Sequence, residues 1–332
     1  MTQDSNYLSV SELKQLENGA SFDTIVLVRK RNTKRGRTGN LFIQVEVGDA
    51  LNTFTFNCFE GTPVFQFFQE VPCKTPQIVC MNGQIEFFGD RLSPRINHVE
   101  EIVDGSYEDH LGRLIEKPDE PVPELKKELF DFIDQIKNPR LSATVKQVFE
   151  DVGEAFYKSA AGIFMHHAYL NGLLEHSVHV VRVVQALLPL YPQVNVDLSI
   201  AGAILHAVGK VLEYQFDAIE GISKTRIGRL QGHVVLGYRL VRSAALRHKL
   251  EPDLLERLEH IVLSHQGEPE WGAAVYPSTP EAVFVSLADN FDAKMAMVQH
   301  QLKRAIPQQV FSDFVQGLQT HLLTQAVMDE SE

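Results

Sequence analysis

Near residue 105 the hydrophobic pattern of this chain changes period, and neither one sheet nor one helical bundle accommodates both halves. Before that point apolar residues alternate. Leu41, Ile43, Val45 and Val47 fall on one face of a strand, with Phe42, Gln44 and Glu46 on the other. Phe54, Phe56 and Cys58 repeat the alternation in Thr53–Cys58. Thr24–Lys30, Ile78–Phe88 and Arg91–Val103 supply three more runs, the last two joined by a Gly89-Asp90 turn. Five strands, interrupted once by helical spacing at Pro63–Glu70, predict a small all-β barrel, and an OB-fold fits best.

Asp104 to Pro123 is polar, proline-punctuated and without period, the composition of a linker. Beyond it apolar residues recur at helical spacing to the end of the chain. Leu125, Leu129, Phe130 and Ile133 form one set, and Val145, Val148, Phe149, Val152 and Phe156 another. Thr279-Pro280 reads as a cap followed by a first-turn proline, opening a helix that puts Asp289 and Asp292 on nearly one face. The expected plan is multidomain: an all-β barrel over residues 1–105, a linker over 106–123 and an all-α domain over 124–332.

Between the first two strands stands Arg29-Lys30-Arg31-Asn32-Thr33-Lys34-Arg35-Gly36-Arg37, six of nine residues basic, in a chain of net charge −12. Gly36 and Gly39 suggest a loop, either simply solvated or tracking phosphates. OB-folds bind single strands with their first inter-strand loop and the adjoining sheet face, where Phe42, and Phe59 or Phe87, are placed to stack bases. The overall acidity argues against wholesale coating of nucleic acid, not against a local basic groove. The three cysteines, Cys58, Cys73 and Cys80, lack zinc-ribbon spacing and read as small buried residues of a reduced compartment. The N-terminus lacks a basic segment followed by an apolar core, and no apolar run reaches the ~20 residues of a membrane span. A cytoplasmic protein without a membrane partner is expected.

The helical half gathers histidines on apolar faces. His176 lies among Leu173, Leu174, Val180, Val183, Val184 and Leu187, and His206 among Ile200, Ala203, Ile204, Leu205 and Val208. One such histidine is usually a satisfied core residue. Here His233, His260, His265 and Asp289 follow on later helical segments, and neutral imidazoles with a carboxylate suit a transition metal.

Taken together, His166-His167-Ala-Tyr, Gly172-Leu-Leu-Glu-His176, Leu205-His206-Ala207-Val208-Gly209-Lys210, Gly232-His233, His260-Ile-Val-Leu-Ser-His265 and Asp289-Asn-Phe-Asp-Ala-Lys294 resemble the HD-domain metal phosphohydrolases. More closely they resemble the YhaM-type 3′–5′ exoribonucleases, over about residues 160 to 305 and more weakly over the barrel. The resemblance implies His176, His206, His233, His265 and Asp289 as metal ligands for a divalent ion, Mn2+ ahead of Mg2+, Fe2+, Co2+ or Ni2+. It implies Lys210 and His167 as catalytic contacts to the phosphate or leaving oxygen, with His166 beside them, and single-stranded RNA, or DNA, as substrate. Arg29, Lys30, Arg31, Lys34, Arg35, Arg37, Phe42, Arg226 and Arg229 are then the nucleic-acid contacts. Lys210 also reads as a helix C-terminal lysine complementing the macrodipole. His260, five residues before His265, faces elsewhere, and Trp271 reads as packing. Assembly into a homo-oligomer stays open.

The chain departs from that pattern at one position. The family's His-Asp doublet is His206-Ala207 here, either in a degenerate member or through a substitution that stops turnover. Two dications about 4 Å apart at an effective dielectric near 20 repel by roughly 16 kcal/mol, so a missing anionic bridge matters. Gln266 also stands where relatives often carry a further histidine. Reduced or lost exonuclease activity is therefore expected. The rival readings are an inactive nucleic-acid-binding protein and an HD hydrolase of nucleotides or cyclic dinucleotides.

Overall fold

The computed structural model describes residues 7–36, 39–70, 77–89, 91–102, 112–163, 166–217, 221–305 and 309–325. Cys73 and Arg37 lie outside these residues, as do Asp90 of the expected turn and the expected linker up to residue 111.

The N-terminal half is a five-stranded antiparallel sheet. A short helix α1 (Val10–Leu13), capped by Ser9 and Glu12, precedes it. The strands are β1 (Ser21–Arg35), β2 (Leu41–Gly48), β3 (Thr53–Phe59), β4 (Ile78–Gln84) and β7 (Arg95–Glu101), with helix α2 (Pro63–Glu70) after β3. Their order is β3-β2-β1-β4-β7, and β3 meets β7 in space, closing an OB-like barrel. One long strand serves two neighbours: the first half of β1 pairs with β4, and its second half pairs with β2 across a bulge between Val28 and Lys30. The inward alternation fills the barrel with Val26, Val28, Ile43, Val45, Phe54, Phe56, Val79 and Met81.

Two expectations change here. The basic segment is not a loop as far as Arg35: Arg31 to Arg35 pair in register with Val45 to Leu41. Its polar side chains mask a strand because the pairing edge, not the side-chain pattern, holds it extended. The run expected over Arg91–Val103 breaks at Ser93-Pro94, since proline offers no N–H to a ladder. A small hairpin, β5 (Phe87–Phe88) with β6 (Arg91–Leu92), results.

The segment after the barrel touches both halves. Leu114 is buried with Ile25, Leu27 and Ile78, and Arg113 donates to Tyr7 O. Farther on, Glu116 meets His300 at 3.1 Å, and Asp119 meets Lys303 at 2.7 Å.

The helices that follow are α3 (Val122–Asp134), α4 (Pro139–Val152), α5 (Glu154–Lys158), α6 (Gly172–Leu187), α7 (Val196–Leu205), α8 (Lys210–Glu213), α9 (Arg226–Arg247), α10 (Pro252–Ser264) and α11 (Pro280–Arg304). Prolines at first-turn positions open α3, α4, α10 and α11, as the sequence predicts for α11. Their apolar faces share one core that includes Leu129, Val145, Leu174, Val181, Ile204, Ala207 and Val241. The run is not helical throughout. Tyr214–Asp217 and Gly221–Lys224 pair as a hairpin, β8 and β9, where Gly221 takes φ +74°. After Arg304 the described chain carries isolated bridges, Phe311 to Leu323 and Val315 to Thr320, in place of a helix. Among the described residues no helix is long and apolar enough to cross a membrane.

Candidate metal centre and nucleic-acid face

Four helices bring one imidazole each to a shared point. His176 comes from α6, His206 caps α7, His233 lies within α9 and His265 caps α10, while α11 adds Asp289. Two glycines permit the approach. A Cβ on Gly209 would stand 1.9 Å from His233 O, so only glycine lets the turn after His206 pass against α9. Gly232, at φ +68°, kinks α9 and starts a new helical segment at His233.

Every ring has its Nδ1 anchored. His176 Nδ1 lies 2.7 Å from Asp292 Oδ2, and His233 Nδ1 lies 2.6 Å from Glu213 Oε2. His206 Nδ1 lies 2.7 Å from Ala203 O, and His265 Nδ1 2.8 Å from Val262 O. A carbonyl or carboxylate oxygen accepts only, so each Nδ1 carries a proton, and in a neutral ring Nε2 is the bare nitrogen. Burial reinforces this. It pushes His206 down to about 4, sends His265 well below its usual value and lowers His233, against the pull of Asp289 or Glu213.

The bare Nε2 atoms face one another. His176 and His206 are 3.0 Å apart there, and Asp289 Oδ1 lies 3.2 and 3.7 Å from them. Ligand atoms about 2.1 Å from one ion and at right angles are separated by about 3.0 Å, so the spacing fits a metal. Two imidazoles and a carboxylate are a donor set for Mn, Fe, Co, Ni or Zn. Burial opposes the charge of Asp289, yet His206 and His176 outweigh it and hold the carboxyl far below the usual range. His233 and His265 form a second pair, Nε2 to Nε2 3.3 Å, with the amide nitrogen of Gln266 at 3.3 and 3.1 Å.

Beside this lies a second cluster, His167, His179 and Asp292, whose ligand-type atoms also fall within 4.8 Å of one another. Its hydrogen bonding points to protons instead of an ion. His167 sets Nδ1 3.0 Å from Glu175 Oε2 and Nε2 2.9 Å from Asp292 Oδ2. Two acceptors at two nitrogens require two N–H groups. Burial opposes that charge, but Asp292 and Glu175 overcome it and raise His167 to about 9. The imidazolium is itself the local cation. His179 bridges Asp292 and Glu120, and Arg182 clamps Glu120 and Glu128.

Lys210 is buried and opens α8, where it follows Gly209 and does not end a helix as the macrodipole reading expected. Burial pushes its ammonium down, and Asp289, Glu213 and Asp292 pull the other way. His166 Nδ1 is buried with no hydrogen-bond partner, and burial takes the ring to about 2. His167 has both nitrogens taken, so it reaches the site only through Asp292. His260 faces away, accepting from Ser278 N at 2.8 Å. Trp271 is 58% exposed and packs into no core. Ala207, fully buried in the helical core, brings no oxygen to the site.

Asp292, Glu213, Glu175 and His179 went unassigned in the sequence. Each carried a faint signal. Asp292 is three residues after Asp289, Glu213 three after Lys210 and His179 three after His176, spacings that return to one helical face, and Glu175 adjoins His176 in sequence.

The expected nucleic-acid contacts separate into two groups. Arg29 donates to Asp49 O and Arg31 to Phe68 O, so both guanidinium groups hold the barrel together. Lys30, Lys34 and Arg35 are exposed, and Lys34 donates to the neutral Gln44 at 2.7 Å. Phe42 rests 6.1 Å, centroid to centroid, from Phe59, which is 61% exposed; Phe88, on the β5–β6 hairpin, is 84% exposed. Arg226 and Arg229 stand exposed on the first turn of α9, away from the barrel strands in sequence.

Fold and site together define a helical domain built around a histidine–aspartate centre behind an OB-like barrel. Residues 173–294 match the HD-domain family, a span that includes all five residues expected as ligands. The chain is a homologue of the 3′-5′ exoribonuclease YhaM of Shouchella clausii (strain KSM-K16), 28% identical over 302 residues, covering 90% of this chain and 92% of that one. A chain from the structure of a replication protein A heterotrimer bound to ssDNA is also similar, at 16% identity and a TM-score of 0.22. That likeness spans 30% of this chain and 82% of the other.

Proposed function

We propose that the protein is a metal-dependent 3′–5′ exoribonuclease of single-stranded RNA, with DNA as a second substrate, working in the cytoplasm at a rate limited by Ala207. The observation that carries this reading is the convergence of His176, His206 and Asp289, with the two Nε2 atoms 3.0 Å apart and both Nδ1 atoms held by acceptors.

In this reading His176, His206 and Asp289 would hold the metal, with His233 and His265 at an adjoining position. Their imidazole donors favour Mn2+ over Mg2+, which prefers an all-oxygen shell. A bound ion would lower the pKa of a water and polarise a phosphoryl oxygen. The rest is the work of the chain. Lys210 sets an ammonium against the charge that develops on the phosphoryl group. Asp292 fixes the His176 tautomer, and His167 fixes Asp292. The barrel, over residues 1–105, holds the strand with Lys30, Lys34, Arg35 and Phe42. Residues 106–123 join it to the domain over 124–332, where Arg226 and Arg229 contact backbone.

Ala207 also favours a second reading, a domain that binds nucleic acid without cutting it. One experiment separates the two. Protein stripped with EDTA is reloaded with Mn2+ or Mg2+ and given 5′-labelled single-stranded RNA, with nucleoside triphosphates and cyclic dinucleotides as controls. Shortening from the 3′ end with Mn2+, slow but abolished by His206→Ala, supports the nuclease. Binding with no shortening supports the second reading, and hydrolysis of the free nucleotides alone would replace both.

A further inference from the structure

Trp271 is the sole tryptophan of the chain, and the fold leaves it 58% exposed. An indole is among the largest apolar surfaces a chain can bury, so one held open at a fixed place is explained by an occupant. Its loop is fastened. Gly267 N donates to Ser264 O at 2.8 Å, Trp271 N and Ala273 N both donate to Glu268 O at 3.0 and 3.1 Å, and Ala274 N donates to Leu263 O at 2.9 Å. These bonds stitch the loop to the end of α10, the helix that His265 caps.

The ring stands at the rim of the histidine–aspartate centre. Gln266 sets its amide nitrogen 3.1 Å from His265 Nε2 and 3.3 Å from His233 Nε2. The next residue, Gly267, lies against both the indole and α11. A Cβ there would stand 3.9 Å from Trp271 Cζ3 and 3.0 Å from Ser286 Oγ. Ser286 precedes Asp289 by three residues and shares its helical face. The centre is also open on the side of this loop. His233 keeps 15% of its side chain exposed to water, whereas His176 and His206 keep none.

We infer that Trp271 is a stacking platform for the base at the 3′ end of the strand, holding the terminal nucleotide at the metal centre. This rests on the nuclease reading proposed above and adds a substrate contact in the helical domain, apart from the barrel. An indole face stacks any base, and a ring already fixed in place loses little freedom when it does so. The neighbouring charges select the base and not the backbone. Glu268 and Glu270 are exposed beside the ring and repel phosphate. The cations stand apart from it, Arg226 and Arg229 exposed on the first turn of α9 and Lys210 in the core. A nucleotide divides in the same way, with a π-surface at one end and an anion at the other.

A sole tryptophan reports its own occupancy. Full-length protein in EDTA, where no turnover intervenes, is titrated with radiolabelled rA12 and with the same oligomer lacking its 3′-terminal base. Filter binding gives the affinity and tryptophan emission gives the stacking. Both oligomers should bind through the barrel, but only intact rA12 should quench the emission, and rA12 lacking its 5′-terminal base should quench it fully. Trp271→Ala should weaken rA12 about 10-fold, and Trp271→Phe should recover most of that loss. Neither should change binding of the oligomer without its 3′ base. Thermal melts matching wild type confirm that the exposed substitutions leave the domain folded. Equal quenching with and without the 3′ base overturns the inference, as does emission that stays constant on binding or a Trp271→Ala variant that weakens both oligomers alike. Emission that moves to the blue with protein concentration alone would put a second copy on the ring and overturn it too. Protein that digests RNA with Mn2+ but shows no quenching sinks this inference and leaves the nuclease reading. Quenching that needs the 3′ base, without digestion, does the reverse.

Discussion

Asp292 Oδ2 accepts a hydrogen bond from His176 Nδ1 at 2.7 Å, and on the far side of the same ring Nε2 stands 3.0 Å from His206 Nε2. One carboxylate thereby decides which nitrogen of His176 turns toward His206 and Asp289. The same oxygen lies 2.9 Å from His167 Nε2, which ties the ring to a buried imidazolium and through it to Glu175.

Replacing the carboxylate by an amide tests that relationship. Asp292→Asn keeps the shape but loses the charge that holds His167, His176 and His179. Metal affinity should fall by about 10- to 100-fold, the usual cost of removing a partner of a ligating histidine. Isothermal titration with Mn2+ reads it directly. Affinity equal to wild type would mean that His176 is oriented by its packing alone.

Ala207 is fully buried among Ile204, Leu205 and Val208, so an aspartate there enters a dry core. Ala207→Asp should lower the melting temperature of metal-free protein, because a buried carboxylate without a partner is costly. Added Mn2+ should raise the melting temperature of the variant more than that of wild type, since a tighter site gains more from the same free ion. Its rate on single-stranded RNA should rise as well. Equal metal-induced shifts in the two proteins, with equal rates, would remove Ala207 as the limiting feature.

Gly209 tests how the centre is assembled. A Cβ there would meet His233 O at 1.9 Å and Gly237 N at 2.4 Å, both backbone atoms that cannot swing aside. Gly209→Ala should cost about 3 kcal/mol of stability, as overpacking at a rigid contact does. It should also pull His233 from Glu213, measurable as weaker occupancy of any second metal. A variant as stable as wild type would show that the two helices have room to part.

Sequence carried the barrel and the histidine–aspartate cluster for related reasons. Alternation in Leu41–Val47 and Thr53–Cys58 is a direct imprint of one buried face, and β2 and β3 run over those residues, one or two longer at most. His176, His206 and Asp289 stood out because histidine and aspartate are out of place on apolar helical faces. The rest was hidden by pairing. Nothing in Arg31–Arg35 looks like a strand, because what holds it is the partner edge of β2. Glu213 and Asp292 resemble ordinary helix acids until the fold sets them against His233 and His176. The hairpin at Tyr214–Lys224 is four residues a side, too short for a period to show.

The buried imidazolium makes a prediction about pH. His167 is raised from its ordinary 6.5 to about 9 by Asp292 and Glu175, which outweigh its burial. Both carboxyls are held below their usual range, so across neutral and alkaline pH they stay ionised and only His167 titrates within the trio. A group whose folded pKa is raised binds its proton more tightly in the native state. Its contribution is therefore complete below the unfolded value near 6.5, and it is lost as pH climbs through about 9. The shift corresponds to a contribution on the order of 3 kcal/mol at most. Urea unfolding of metal-free wild type and His167→Gln at pH 6, 7.5, 9 and 10 should show the largest gap at pH 6. The gap should narrow steadily across the interval and level off above it, with only packing differences left. A gap that holds constant from pH 6 to 10 would mean that His167 is neutral in the native state. The Glu175–His167–Asp292 chain would then hold one proton fewer than the geometry requires.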